Sequence, residues 1–275
     1  MALLCDVMEV SRSGFYRYMK TFNKPDLNAD PDLLADVKAV FEASGETYGS
    51  RRMAKALRAL GHPVGRYQAR SLMRKLGLRV LPTRRFKITT DSKHSLPVAP
   101  NILARKFDVT GQDEAWVGDI TYLWTQSGWL YLAVIIDLYS RKVVGWALDR
   151  RMTVNLVKDA LTMAVWRRRP PPGLIHHTDR GSQYASHDYQ RELKRYGMVC
   201  SMSRKGNCWD NAVAERFFRS LKTERTNHRV YQTREEAKQD VFDYIEMFYN
   251  SQRLHSYLGY VSPNEFESLD LKEAA

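Results

Sequence analysis

The chain contains no apolar run near the length of a membrane-spanning helix and no secretory leader pattern, so neither membrane insertion nor secretion is expected. Cysteine is scarce: Cys5, Cys200 and Cys208 are an odd number at no metal-ligand spacing. They read as thiols of a reducing compartment, which argues against a disulfide-stapled scaffold. Residues 1–107 offer only Cys5, His62 and His94 as soft ligands, which excludes a zinc site of paired histidines and cysteines there. No serine or tyrosine has an evident base partner, so a covalent protein intermediate is not expected. There are no internal repeats. Acidic charge is thin at one end only: residues 1–107 hold 9 Asp/Glu against 20 Lys/Arg, whereas 108–275 hold 22 against 23. The net +12 is therefore regional, and a regional basic surplus points to nucleic acid more than to a merely solvated face.

With 44% hydrophobic residues the chain can bury a proper core, and its 275 residues suit two smaller domains better than one. Leu33, Leu34, Val37, Val40 and Phe41 recur at helical spacing, as do Met53, Ala54, Leu57 and Leu60. Gly61-His62-Pro63 stops that second helix. A third, over 65–76, is expected to turn Tyr67, Leu72 and Leu76 inward and Arg66, Arg70 and Arg74 outward. Three short helices with a basic last member predict a DNA-binding helix-turn-helix unit over 30–80, although a plain three-helix bundle fits the same pattern. Residues 1–22 read as a partial helix-turn-helix segment. Residues 81–110, basic and holding Pro82, Pro97 and Pro100, read as an extended linker.

At Ala115 the helical period gives way to strands. Ala115–Trp124 and Gly128–Asp137 flank a Gln126-Ser127-Gly128 turn, and Lys142–Leu148 adds a third strand. There follow a helix over Thr153–Arg168, a short strand over Leu174–Thr178, a helix near 186–196, a strand over Val199–Met202 and a helix from Asn211 to Thr226. This order predicts an α/β fold, a mixed sheet with helices on its faces, over 111–228. A helical tail is expected over 229–275, with one helix at 233–249.

Three acids stand out by placement. Asp119 lies inside a strand, where an unpaired charge is costly. Asp179 follows the short strand, at the carboxyl end where such sheets place ligands. Glu215 sits one turn into the helix that starts near Asn211. Singly, each also fits a structural role: an outward strand aspartate, a turn residue beside Gly181, or an i,i+4 partner for Arg219. Together they suit phosphodiester chemistry, which needs a deprotonated oxygen nucleophile and neutralised charge at phosphorus. Hard carboxylate oxygens hold the Mg²⁺ or Mn²⁺ ions that supply both.

The strings Trp116-Val-Gly-Asp-Ile-Thr-Tyr122, His177-Thr-Asp-Arg-Gly-Ser-Gln-Tyr184 and Ser203-Arg-Lys-Gly-Asn-Cys-Trp-Asp-Asn-Ala-Val-Ala-Glu-Arg-Phe-Phe218 resemble the integrase core of bacterial insertion-sequence transposases. These are relatives of retroviral integrases with a ribonuclease-H-like fold. The gap of 35 residues between Asp179 and Glu215 belongs to that pattern. The likeness runs on through Tyr249-Asn250, Arg253, His255, Leu258-Gly259-Tyr260 and Ser262-Pro263. It implies that Asp119, Asp179 and Glu215 form a catalytic triad holding two Mg²⁺ or Mn²⁺ ions. It also implies cleavage and strand transfer at the ends of an insertion element, with double-stranded DNA as partner and a homodimer or larger synaptic assembly. A frameshift fusion with, or partner from, an upstream frame and a cytoplasmic, nucleoid-associated location belong to the same expectation. A nuclease of this fold that only hydrolyses, and a non-catalytic helix-turn-helix repressor, are the rival readings.

Around the acids, Lys222 and Arg219 share the helix face of Glu215, and Lys222 matches a position thought to grip DNA in related integrases. Arg204 and Lys205, in the preceding loop, are further DNA-binding candidates, with Trp209 available to wedge a base step. Asp210 or Asn211 is expected to cap the helix. His176 and His177 read as core histidines rather than ligands. Asp137 reads as the acceptor of a Ser140–Arg141 turn, and Arg167-Arg168-Arg169 as a helix C-terminus favoured by the dipole.

Overall fold

The computed structural model describes residues 5, 7–22, 30–80, 96–204 and 207–273. The chain divides into two compact units between Val80 and Leu81. No helix among the described residues is long and apolar enough to cross a membrane.

The first unit is helical: α1 (Arg12–Phe22), α2 (Pro31–Ala43), α3 (Ser50–Ala59) and α4 (Arg66–Lys75). Asp30 starts α2, its carboxylate accepting the amides of Asp32 and Leu33, with Pro31 at the first helical position. Leu33, Val37, Phe41, Met53, Leu57, Ala69 and Leu72 close one buried core. Two expected inward residues turn outward. Tyr67 is 80% exposed and Leu60 56% exposed. Ala69, Leu72 and Met73 set the buried face of α4, and Tyr67, two residues before Ala69, falls on the opposite side of the helix. Leu60 lies just past the last turn of α3.

The second unit is built on a five-stranded sheet: β1 (Ala115–Thr125), β2 (Gly128–Asp137), β3 (Val143–Asp149), β4 (Ile175–Thr178) and β5 (Val199–Met202), in the order β3-β2-β1-β4-β5. The hairpin pairs β1–β2 and β2–β3 are antiparallel, whereas β1–β4 and β4–β5 are parallel. Leu130 and Leu132 through Ile136 are all buried, so the sheet is covered on both faces. Trp116, Ala133, Ile135 and Val144 face α5 (Val154–Arg168), α6 (Ser182–Ala185) and α7 (His187–Arg195). A Cβ on Gly145 would come within 2.7 Å of the Ala164 Cβ; only glycine lets α5 lie this close to β3. The other face takes α8 (Ala212–Glu224) and α9 (Arg234–Phe242).

Two expectations change here. Residues 81–95 of the expected linker lie outside the described residues, but 96–110 do not run free. Leu96 and Ala99 pack on the sheet core, and the amides of Ile102 and Leu103 donate to Ser201 Oγ at 2.9 and 3.1 Å. The helix expected over 233–249 changes to a π-helix at Asp243–Tyr249, burying Tyr244, Ile245, Phe248 and Tyr249 together. The last helix, α10 (Pro263–Glu273), packs at the turn between β2 and β3, where the rings of Phe266 and Tyr139 lie 5.2 Å apart. Asn250 exchanges two 3.0 Å hydrogen bonds with the Val143 backbone. Lys142 and Arg168 both bind Glu267, at 2.9 and 3.0 Å.

Candidate active site

Main-chain register places the first two acids side by side. Gly118 pairs with Thr178, the last residue of β4, so Asp119 and Asp179 follow on neighbouring parallel strands. Such strands lie about 4.8 Å apart. Asp179 is then turned by its own loop, the Gly181 amide donating to its Oδ1 at 2.9 Å. Asp119 Oδ1 accepts the Ile120 amide at 2.8 Å. Asn211 Nδ2 donates to the Gly118 carbonyl at 3.3 Å, which pins the start of α8 beside Asp119. Glu215, in the first turn of α8, is thereby brought to the same edge.

The electrostatics record this meeting. Burial pushes the Asp119 carboxyl well above its ordinary range, and the charges of Asp179 and Glu215 raise it further. Burial also raises Glu215. Burial lowers Lys222, opposed by the Asp119 charge, which favours its cationic form. Its ammonium lies 4.9 Å from the centroid of Tyr122. Mutually repelling, partly desolvated hard oxygen donors are a setting that divalent cations stabilise. Among the described residues no three His, Cys, Asp or Glu side chains are gathered closely enough to hold a metal ion as they stand.

The loop before α8 is organised by a residue assigned another role from sequence. Neither Asp210 nor Asn211 caps α8 with its side chain; Asn207 caps the short 3₁₀ turn Cys208–Asn211 instead. Asp210 is buried and accepts from Arg105 Nε at 2.7 Å, Arg204 Nη2 at 2.8 Å and Asn101 Nδ2 at 2.9 Å. The Arg204 bond holds its carboxyl far below the usual range. Arg204 is thus tied into this clamp, though its side chain is 54% exposed. Arg219 and Trp209 are exposed, and Lys205 lies outside the described residues. In the first unit, Arg66, Arg70 and Arg74 line one cleft together with Arg79, which sequence reasoning had not singled out.

His176 and His177 are buried structural groups. His176 Nε2 meets the Tyr189 hydroxyl at 2.8 Å; His177 Nδ1 meets Ser201 Oγ at 2.8 Å. Burial lowers His176 to about 3 and His177 to about 4. Both folded values are depressed, so the unfolded chain binds more protons between them and its ordinary value of 6.5. The stability they contribute is whole above that value and is lost as pH falls towards 4. Urea midpoints are therefore expected to drop on acidification below that ordinary value. His176→Gln should remove about one proton from the slope, about 1.4 kcal/mol per pH unit. An unchanged slope would show that the ring is already charged in the fold.

Asp137 is buried away from these acids. It accepts from Ser140 Oγ at 3.0 Å and faces Arg168 at 3.6 Å, and burial raises it to about 6. Arg168 does more than end a helix: it joins Asp113 (2.9 Å) and Glu267 (3.0 Å). Arg253 is buried against Glu224 at the far end of α8, and the His255 ring stands edge-on 4.6 Å from that of Tyr249.

Comparison with known proteins agrees with this architecture. A family described as "Integrase core domain" matches residues 110–208, a second of that description matches 215–271, and an "HTH-like domain" matches 28–86. The class is thus an integrase core preceded by a helix-turn-helix-like unit. The chain is 45% identical over 263 residues to the "Insertion element IS600 uncharacterized 31 kDa protein" of Shigella sonnei, covering 96% of this chain and 97% of that one. It is 44% identical over 270 residues to "Transposase InsF for insertion sequence IS3A" of Escherichia coli K12, covering 98% and 94%. A simian T-cell lymphotropic virus intasome in complex with PP2A regulatory subunit B56 gamma matches at 15% identity and a TM-score of 0.48, over 84% of this chain and 73% of that one. The chain belongs to the insertion-sequence transposase family that includes InsF, DNA transposases of the DDE polynucleotidyl-transferase type.

Proposed function

We propose that Asp119, Asp179 and Glu215 are the catalytic carboxylates of this transposase and that together they hold two divalent cations, Mg²⁺ or Mn²⁺. The observation that carries this is the register that sets Asp119 beside the end of β4, where Asp179 follows, with the Asn211–Gly118 bond bringing the first turn of α8 and Glu215 to the same edge. Bound there, the cations would supply charge neutralisation at the scissile phosphate and activation of an oxygen nucleophile. Asp119 and Asp179, fixed by strand register, set the position of the phosphate. Glu215 closes the site from α8, and Lys222 on the same helix meets a DNA phosphate with its ammonium. The DNA 3′-hydroxyl is the attacking group in strand transfer, so no covalent protein intermediate is required. Arg66, Arg70 and Arg74 supply phosphate contacts from the helical unit, with Arg219, Arg204 and Lys205 as further DNA contacts beside the core. The working form is a homodimer or larger assembly that pairs two element ends in the cytoplasm, as this chain or fused to an upstream-frame product.

The test is incubation with pre-cleaved element-end duplex, carrying a recessed 3′-hydroxyl, and target DNA in Mg²⁺. Joined products are expected, and they should vanish with chelator. Nicking without joining would leave a hydrolytic nuclease instead.

A further inference from the structure

Beyond the acids, the far end of the β1–β2 hairpin forms a cleft of about 320 Å³ walled by Tyr122, Trp124, Trp129, Lys222, Asn227 and Arg229. Trp124 and Trp129 are a cross-strand pair with ring centroids 4.7 Å apart at 70°, and Tyr122 stands edge-on to Trp129 at 5.0 Å. These indoles do little for the core: Trp124 is 55% and Trp129 44% exposed. Large aromatic surface left in water at a cleft marks a binding site. Two cations flank it. Lys222 lies over the Tyr122 ring, and Arg229 is held along the wall by Asp240. Lys222, one wall of the cleft, is also the cation whose charge acts on Asp119.

We propose that this cleft stacks the base of an unpaired nucleotide a few positions from the scissile phosphate. The occupant follows from the chemistry of the walls. Indole faces beside cations suit a nucleobase on a phosphate backbone, with little dependence on sequence. A base inside a duplex has its faces stacked and cannot enter, so the ligand is an unpaired end. A purely apolar protein segment would gain nothing from the Lys222 ammonium and the Arg229 guanidinium in the walls, whereas a phosphate backbone is attracted to both. The proposal rests on the assignment of the three acids as the active site.

The test uses the full chain and a duplex carrying a short unpaired overhang with 5-iodouridine. Ultraviolet cross-linking is expected to place the adduct on the peptide bearing Trp124 and Trp129. The preference for overhang over blunt duplex should fall about tenfold in Trp124→Thr/Trp129→Thr, and Trp124→Phe should keep most of it. An adduct mapped elsewhere overturns the proposal whether or not the double variant folds. So does a folded double variant with wild-type overhang preference, or one whose only change is oligomeric state, which would make the cleft a protein interface. The active-site assignment is judged separately: it fails if Asp119→Asn still cleaves DNA, wherever the adduct lies.

Discussion

Asp119→Asn and Glu215→Gln are each expected to lower cleavage and strand transfer by on the order of 10³-fold or more, while duplex affinity stays close to wild type. The asymmetry follows from where the charges sit. The basic surplus belongs to residues 1–107, with 20 Lys/Arg against 9 Asp/Glu. Duplex affinity, which is dominated by phosphate contacts, should scarcely feel an acid removed from the core. Asp119→Asn should also raise the melting temperature in the absence of divalent cation, because burial and two neighbouring charges disfavour the native carboxylate. Added Mg²⁺ should stabilise the wild type and do much less for the variant. Activity assays, filter binding and thermal melts with and without Mg²⁺ check the three parts. A variant that cleaves at the wild-type rate would remove Asp119 from the site.

The second large effect is structural. Arg253→Met is expected to cost about 3–5 kcal/mol, measured by urea unfolding, because it strands a buried carboxylate. Arg253 donates to both oxygens of Glu224, at 2.7 and 2.6 Å, and to Ser220 Oγ at 3.1 Å. Tyr244 adds a 2.7 Å bond from its hydroxyl to the same carboxylate. Removing both partners, in Arg253→Met/Glu224→Leu, should recover much of the loss, since an apolar pair leaves no buried charge. Arg253→Lys should rescue poorly, because an ammonium cannot reproduce the two-pronged grip. If the double variant is as unstable as the single one, packing rather than charge is what Arg253 supplies. Glu224 ends the helix that carries Glu215, so catalysis should fall with stability.

Much of this was legible in the sequence, and the limits follow one physical divide. The β-rich runs of β1 and β2 and the proline-glycine stop after α5 are local signals, and the succession of strands and helices along the chain follows from them, though not the order of strands in the sheet. Asp119 stood out because a charge inside a strand is costly, and Asp179 because it follows a strand. What could not be read depends on partners far along the chain. Asp210 resembled a helix cap because that role needs only its neighbours. Its partners Arg105 and Asn101 lie 105 and 109 residues away. Arg253 belonged to the family resemblance, but its role was hidden for the same reason, its partner Glu224 being 29 residues earlier. Tyr67 was misplaced by helical phase, where its bulk suggested burial but Ala69 and Met73 take the inner face.

The way the last residues return to the sheet bears on how the protein can be dissected. Asn250 completes the hydrogen bonding of Val143 on the edge strand β3, and Glu267 gathers Lys142 and Arg168. All three acids precede these residues, which makes a fragment ending after α8 look sufficient for chemistry. Such a fragment would leave β3 and α5 without their partners and Glu224 without Arg253. The smallest independently folding catalytic piece is therefore expected to run to the end of α10. The chemistry and its scaffold are not separable modules, and insertions or fusions belong beyond that helix rather than between it and Glu215.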